Sequence, residues 1–238
     1  MSLGLGIANE LLETPITWLP NEQGLANDLQ FWYQNGVNVS AAAWLDSSNK
    51  NNDATQSLTG NQPTVSEGGL DFDGSVPEFM DLDTKITIAP EQGFTLAFVI
   101  KLDALVNRVI LSDSNNEFIE IMNSKKFRIK TNNPSNVTTV LASTDNIFAT
   151  ETKQLITLSR TTSGNYKWTL DQDIVTVDSG ASTNTTNTGG FDIHNLCVRN
   201  DNDRGVDGLL YEIVFYNRTL RLSELNNLQI YLKDKFNI

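Results

Sequence analysis

The stretch FTLAFVIKLD, residues 94–103, carries the alternation of side chains that is typical of a β-strand. Successive side chains of a strand point to opposite faces of the sheet, so every second residue shares a face. Ala97 and Val99 make one face partly apolar, which favours a central position in the sheet. The other face holds only large apolar side chains: Phe94, Leu96, Phe98, Ile100 and Leu102.

Further short strands are predicted on both sides of this stretch. Turn-forming pairs such as Asn35-Gly36 and Asp73-Gly74 separate the segments, and many short strands at such intervals are typical of antiparallel sandwiches or barrels. The sequence therefore predicts an all-β fold. The other strand candidates are RVILSD (108–113), EFIEIMN (117–123), QLITLSRT (154–161), YKWTLD (166–171) and GLLYEIVFYNR (208–218).

The two ends of the chain differ from this pattern. Near the C-terminus we predict one helix, which Ser223 can cap, with an apolar stripe at helical spacing. At the N-terminus, glycines and two prolines prevent a regular element, so we predict an arm over residues 1–27. One folded domain is predicted over residues 28–238. The helical stripe consists of Leu225, Leu228, Leu232 and Phe236.

Composition excludes several classes of function. The formal net charge of the 238 residues is −12, and a nucleic-acid-binding surface would need clustered Lys and Arg. Only KKFRIK, residues 125–130, is basic, and its alternation predicts a strand with a solvated face. No run approaches the roughly 18 apolar residues of a membrane helix, and no signal peptide is predicted. Cys197 is the only cysteine, so an internal disulfide is excluded.

Two groups of residues near opposite ends of the domain resemble one family. The domain is similar, over residues 28–238, to the concanavalin A-like, laminin-G-like jelly-roll domains. This resemblance implies an antiparallel jelly-roll β-sandwich with a C-terminal helix and an N-terminal arm. The early group is Trp44, Asp46, Ser48, Asn52, Ala54, Gln56, Gln62, Pro63, Phe72, Asp73 and Gly74. The closing group is Asp207, Gly208, Glu212, Tyr216, Arg218, Leu220, Tyr231, Leu232 and Lys235.

The polar run WLDSSNKNNDATQSLTGNQPTV, residues 44–65, has two interpretations in this context. Its composition alone would favour a linker, whereas the flanking motifs favour a loop that crosses the edge of the sandwich. Asn and Asp suit such a crossing because they bond their own backbone and tolerate left-handed conformations. We predict that Trp44 anchors the core, and the alternative is direct ligand contact.

The arm before the first strand, MSLGLGIANELL, resembles structural proteins of tailed bacteriophages, particularly marine ones. The resemblance implies a non-catalytic virion structural or decoration protein that is made in the host cytoplasm and located in the virion. Residues 1–27 are then expected to dock on other virion proteins, and the chain to form a homo-oligomer. The alternative is a carbohydrate-binding module or adhesin that recognises host-surface polysaccharide.

No catalytic arrangement is discernible. His194 is the only histidine, and on a strand it would point away from Cys197, three residues later. Hydrolysis of a glycoside needs two carboxyl groups that face each other across a sugar. EFIEI, residues 117–121, places Glu117 and Glu120 on opposite faces. We therefore expect no enzymatic activity and no required cofactor.

Two candidate binding features and one acid with a predicted structural role remain. Trp32 and Tyr33 could form a platform for sugar stacking, although aromatic residues on sandwich strands are more often part of the core. The buried Glu212 needs a cationic partner, which we expect to be Arg218 or Arg204. The turn RNDNDRGVDG offers calcium three carboxylates, and the alternative is a plain acidic turn neutralised by arginines. The calcium ligands would be Asp201, Asp203 and Asp207.

Overall fold

The computed structural model describes residues 18–22, 24–74, 78–199 and 203–238. It consists of sixteen strands and one α-helix within these ranges. The strands are β1 (Leu29–Tyr33), β2 (Ala43–Trp44), β3 (Ala54–Thr55), β4 (Thr64–Ser66), β5 (Gly69–Phe72), β6 (Met80–Ile88), β7 (Phe94–Leu102), β8 (Arg108–Ser114), β9 (Glu117–Asn123), β10 (Lys126–Thr131), β11 (Val137–Ala142), β12 (Lys153–Arg160), β13 (Tyr166–Leu170), β14 (Asp173–Ile174), β15 (Phe191–Leu196) and β16 (Gly208–Tyr216). A 3-10 turn spans Thr59–Asn61, and the helix α1 spans Leu222–Phe236.

The strands form two antiparallel sheets that pack face to face. The first has the order β14-β13-β12-β7-β16-β5-β4, and β1 pairs with β16. The second has the order β11-β10-β9-β8-β15-β6-β3-β2. We call the first the helix-covered sheet, because α1 packs on its outer face, and the second the open sheet. The predicted sandwich with a C-terminal helix is confirmed.

The interior between the sheets is built from the alternating faces that the sequence predicts. Phe94, Phe98 and Leu102 of β7 all lie in this core, and β7 is a central strand between β12 and β16. Phe127 and Ile129 of β10 reach the same core from the open sheet. Rings of the two sheets therefore meet in one interior, which is the largest source of burial in the molecule.

The helix builds a second apolar layer outside the sandwich. Its predicted stripe is buried, and it packs on Ala97, Val99 and Val214 of the helix-covered sheet. Ser223 is not the cap, because the helix already begins at Leu222. Instead, the Arg221 backbone N–H donates to the Glu224 carboxylate at 2.7 Å, so the carboxylate satisfies a donor that the first turn leaves free. None of the described helices is long and apolar enough to cross a membrane.

Asp46 organises the polar run that follows β2. Its carboxylate accepts hydrogen bonds from the backbone N–H groups of Trp32, Ser48 and Asn52 at 2.8–3.0 Å. Trp44 is fully buried, and its Nε1 donates to the Gln34 carbonyl at 3.0 Å. The interpretation of this run as a loop that belongs to the fold, anchored by Trp44, is confirmed.

Only the end of the predicted arm falls within the described residues. Trp18 and Leu19 are half-buried against the helix layer, and Leu25 is buried in it. The Tyr216 hydroxyl donates to the Pro20 carbonyl at 2.8 Å. The stretch from residue 18 thus packs on the domain itself, whereas residues 1–17 lie outside the described part of the chain.

Candidate functional site

The outer face of the open sheet is the surface on which a ligand could meet several side chains at once. Among the described residues no helix covers this face, in contrast to the other sheet. Strands β6, β15, β8, β9 and β10 are neighbours in that order, so their outward side chains form adjacent rows. These rows are strongly polar, whereas the outward side chains beneath α1 are largely apolar.

A cleft of about 420 Å³ lies on this face, where β6, β15 and β8 meet. Such a volume suits a small ligand or a short stretch of a polymer. Beside β15 the register with β6 shifts between Ile193 and Asn195, and both His194 and Asn195 line the cleft. The lining residues are Phe79, Asp81, Lys85, Asp113, His194, Asn195 and Val198.

The polar groups of the cleft are held by one another. Lys85 Nζ lies 2.8 Å from an Asp113 oxygen and 3.6 Å from an Asp192 oxygen. The hydrogen bond with Asp113 raises the pKa of Lys85. Asn195 Nδ2 donates to Asp81 Oδ1 at 2.6 Å. These contacts orient donors and acceptors in advance, which lowers the entropy lost when a ligand binds.

An arginine cluster lies beside the cleft, on β9, β10 and the chain after β15. Glu120 is fully buried at its centre, and Arg128 and Arg204 both donate to its carboxylate. Burial raises the pKa of Glu120 to about 7, although Arg204 and Arg199 act to lower it. A buried acid with a strongly shifted pKa next to a cleft is a candidate functional group.

Trp32 and Tyr33, the two residues that the sequence suggests for sugar stacking, are buried. Trp32 and Tyr33 are 3% and 0% exposed. Trp32 Nε1 donates to Glu212, and the Tyr33 hydroxyl donates to the Asn52 carbonyl. The stacking hypothesis is wrong for both, because a ring without exposed surface cannot contact a sugar. All twenty aromatic residues lie in the described ranges and none is fully exposed.

Cys197 and His194 do not form a nucleophilic pair. Cys197 is fully buried in the interior, and burial raises the pKa of its thiol well above the usual value. His194, on the opposite side of the strand, lines the cleft. The expectation that the two side chains point to opposite faces is confirmed.

The calcium hypothesis concerns residues that the structure describes only in part. Asp201 lies outside the described residues. Asp203 is paired with Arg199 at 2.9 Å, and Asp207 with Arg108 at 2.8 Å. In the described part of the chain, no group of three or more His, Cys, Asp or Glu side chains could hold a metal ion. The arrangement favours the alternative in which arginines neutralise the turn.

We therefore expect the unfolding midpoint to be the same in calcium and in chelator. A cation bound only to the native state at 100 times its dissociation constant would add roughly 2.7 kcal/mol of stability. Thermal unfolding in both buffers, with Asp203→Ala as the matched variant, measures the difference. A calcium-dependent rise in the wild type that disappears in the variant would establish a calcium site.

A larger cavity, of about 610 Å³, lies between the end of the arm and the start of α1. Three of its charged groups already pair with one another, because Arg218 bonds to both Asp28 and Glu224 at 2.6–3.1 Å. Trp18, the first described residue, is part of its wall. We therefore assign the site to the open sheet.

The fold defines the class of architecture: an antiparallel β-sandwich domain with a helix on one sheet, compatible with a concanavalin A-like fold. No family model matches the chain, and no curated protein matches it either. The binding domain of Paraclostridial Mosquitocidal Protein 1 is 15% identical with a TM-score of 0.59, covering 89% of this chain and 53% of that one. The ligand-binding domain of botulinum neurotoxin serotype D, solved with N-acetylneuraminic acid, is 12% identical with a TM-score of 0.58, covering 86% and 51%.

An enzyme also appears among the similar structures. Trypanosoma rangeli sialidase is 15% identical with a TM-score of 0.56, and the match covers 88% of this chain but 33% of that one. The chain thus spans between a third and about half of these proteins. At such identities the likeness shows the fold alone, and the two matches with the larger shares are binding domains.

Proposed function

We propose that this protein is a non-catalytic carbohydrate-binding module that recognises polysaccharide on a host surface through the cleft of the open sheet. The observation that carries the proposal is the cleft itself, a set of fixed polar groups on the sheet face that no described helix covers. The sandwich supplies a rigid platform, and function depends on the side chains placed on it.

The chemistry of the cleft suits sugar hydroxyl groups, each of which both donates and accepts. Asp81 and Asp113 accept hydrogen bonds, and Lys85 and Asn195 donate them. The half-buried ring of Phe79 adds an apolar wall. Support also comes from the similar neurotoxin domain, which was solved with a bound sugar acid. We expect weak binding per site, which several copies would strengthen.

Replacing Lys85 with alanine is expected to weaken glycan binding by roughly 10- to 100-fold, because a hydrogen bond from a charged donor contributes about 1.5–3 kcal/mol. A glycan array probed with an oligomerised form finds the ligand, and calorimetry on the best glycan measures the loss. Lys101→Ala is the matched control, since Lys101 lies on β7 of the helix-covered sheet. Equal affinities of the two variants would contradict the proposal, as would release of reducing ends from the bound glycan.

The role as a virion component is a separate proposal that rests on the resemblance of the arm. It is compatible with glycan binding, because a decoration protein can also bind sugars. Docking through residues 1–27 and formation of a homo-oligomer belong to the same proposal. Mass spectrometry of purified particles would test it by counting the copies of this chain.

A further inference from the structure

Glu120 occupies the position that an external carboxylate would take. Arg204 Nη1 donates to its Oε1 at 2.9 Å, and Arg128 Nε donates to its Oε2 at 2.5 Å, with a second contact from Arg128 Nη2. Planar guanidinium groups match the geometry of a carboxylate better than an ammonium does. The two arginines are therefore already arranged as a receptor for one carboxylate.

This arrangement costs free energy when Glu120 is ionised. The side chain has no exposed surface, and transfer of a charge from water to such a place is unfavourable. Burial consequently raises the pKa of Glu120 to about 7, so its carboxyl group takes up a proton more readily than that of an exposed glutamate. Protonation removes the charge that the two guanidinium groups hold.

Charged groups on two of the described neighbouring segments change the pKa of Glu120. On β10, Arg128 pairs with it directly, and Lys130 acts to lower its pKa. In the chain after β15, Arg204 and Arg199 lower the pKa and Asp203 raises it. On β8, the residue opposite Glu120 is the uncharged Val109.

The arginine cluster adjoins the cleft and reaches solvent. Val198 lines the cleft and precedes Arg199, and β8 with Asp113 lies directly beside β9 with Glu120. The side chains of Arg128 and Arg204 are 18% and 24% exposed, whereas Glu120 lies beneath them. A ligand that occupies the cleft could extend over the outer side of both guanidinium groups.

We propose that Arg128 and Arg204 form the subsite for the carboxylate of an acidic sugar, and that Glu120 is the internal counter-ion which this carboxylate displaces. The proposal rests on the function proposed above and names its ligand class. In the exchange, the sugar carboxylate pairs with the two arginines, and Glu120 takes up one proton from solvent. Binding of the acidic sugar and protonation of Glu120 are then linked.

The linkage predicts how affinity changes with pH. If the acidic sugar binds when Glu120 is protonated, the apparent affinity follows the protonated fraction. For a group that titrates near pH 7, that fraction is about tenfold larger at pH 6 than at pH 8. The ligand stays ionised over this range because sugar carboxyl groups titrate at much lower pH. A neutral sugar in the same cleft should show no such dependence.

Calorimetry with two matched pairs of probes tests this: oligogalacturonate and 3′-sialyllactose, each against its methyl ester. We expect at least one free acid to bind more tightly than its ester, and to bind about tenfold more tightly at pH 6 than at pH 8. Free acids that bind no better than their esters, or binding that is independent of pH, would overturn the subsite. Ester or neutral-glycan binding that is lost in Lys85→Ala would meanwhile leave the cleft proposal standing.

Two variants should change the affinity for the free acid in opposite directions. A purely structural role of the arginine cluster would not produce this difference. Glu120→Gln should bind the free acid at pH 8 about as tightly as the wild type does at pH 6, with no further pH dependence. Arg204→Gln should bind it at least tenfold more weakly at pH 6. Arg221→Gln, at the start of α1 on the other side of the sandwich, is the matched control. Weakened binding in both cluster variants, with native circular dichroism, would refute the displacement by Glu120.

Discussion

Replacing Glu212 with alanine is expected to lower the free energy of unfolding by about 3–5 kcal/mol, because it leaves a partly buried charge without its partner. The fully buried carboxylate of Glu212 joins β1, β16 and the helix. Lys235 Nζ lies 2.5 Å from it, the Trp32 Nε1 donates at 2.7 Å, and the Tyr231 hydroxyl donates at 3.0 Å. All three donors lose their acceptor in the variant.

Chemical denaturation of matched variants shows whether the loss of stability is specific to Glu212 or follows from the removal of any carboxylate. Glu151→Ala removes a carboxylate that is 69% exposed and 3.9 Å from Lys101, so it should cost within about 1 kcal/mol. The double variant Glu212→Leu, Lys235→Met should recover only part of the loss, because it removes the unpaired charge but leaves Trp32 Nε1 and the Tyr231 hydroxyl without an acceptor. A Glu212→Ala protein no less stable than Glu151→Ala would show that the carboxylate does not hold the helix on the sheet.

Replacing Trp44 with alanine is expected to cost about 3–5 kcal/mol of stability, the usual range for removal of a buried tryptophan. Trp44 has no exposed surface, its ring lies 5.8 Å from that of Tyr33, and its Nε1 satisfies the Gln34 carbonyl. The variant leaves a cavity and removes one of the two hydrogen bonds to the Gln34 carbonyl, which keeps the bond from the Val37 N–H.

The adjacent residue supplies the control for this substitution. Leu45 is 40% exposed, so Leu45→Ala should change the free energy of unfolding by only about 0.5 kcal/mol. Both variants are measured by urea denaturation at one pH. Similar losses of stability in Trp44→Ala and Leu45→Ala would mean that Trp44 is not an anchor of the core.

Elements with a local signal in the sequence were predictable. The alternation in residues 94–103 predicts the faces of β7, and the helical stripe predicts the buried side of α1. Both depend on periodicities of a single segment, 2 for a strand and 3.6 for a helix. The helix cap was not predictable in this way: the N-cap is Arg221, two residues before Ser223, and Glu224 bonds back to its backbone N–H.

The candidate site has no such local signal. Its polar residues lie on outward positions of β6, β8 and β15, which are far apart in the chain: Asp81, Lys85, Asp113, His194 and Asn195. Alternation alone would place His194 and Asn195 on opposite faces, and both line the cleft because the register of β15 with β6 shifts between Ile193 and Asn195. Only the pairing order of the open sheet shows that they converge, because strand order depends on long-range contacts rather than on any one segment. The role proposed for Glu120 was missed for the same reason.

Local residue patterns indicate the all-β class, the phase of the main strands, the buried helix face and the structural role of Trp44. Tertiary structure decided the partners of charged and aromatic side chains. Between Leu210 and Glu212 the register of β16 against β7 shifts, and the helix layer lies over Glu212. Glu212 therefore meets Lys235 of α1 rather than the predicted Arg218 or Arg204, and Trp32 points to the same carboxylate instead of to solvent. A register shift of one residue reverses the face of the sheet that a side chain occupies, and the composition of the chain does not indicate such a shift.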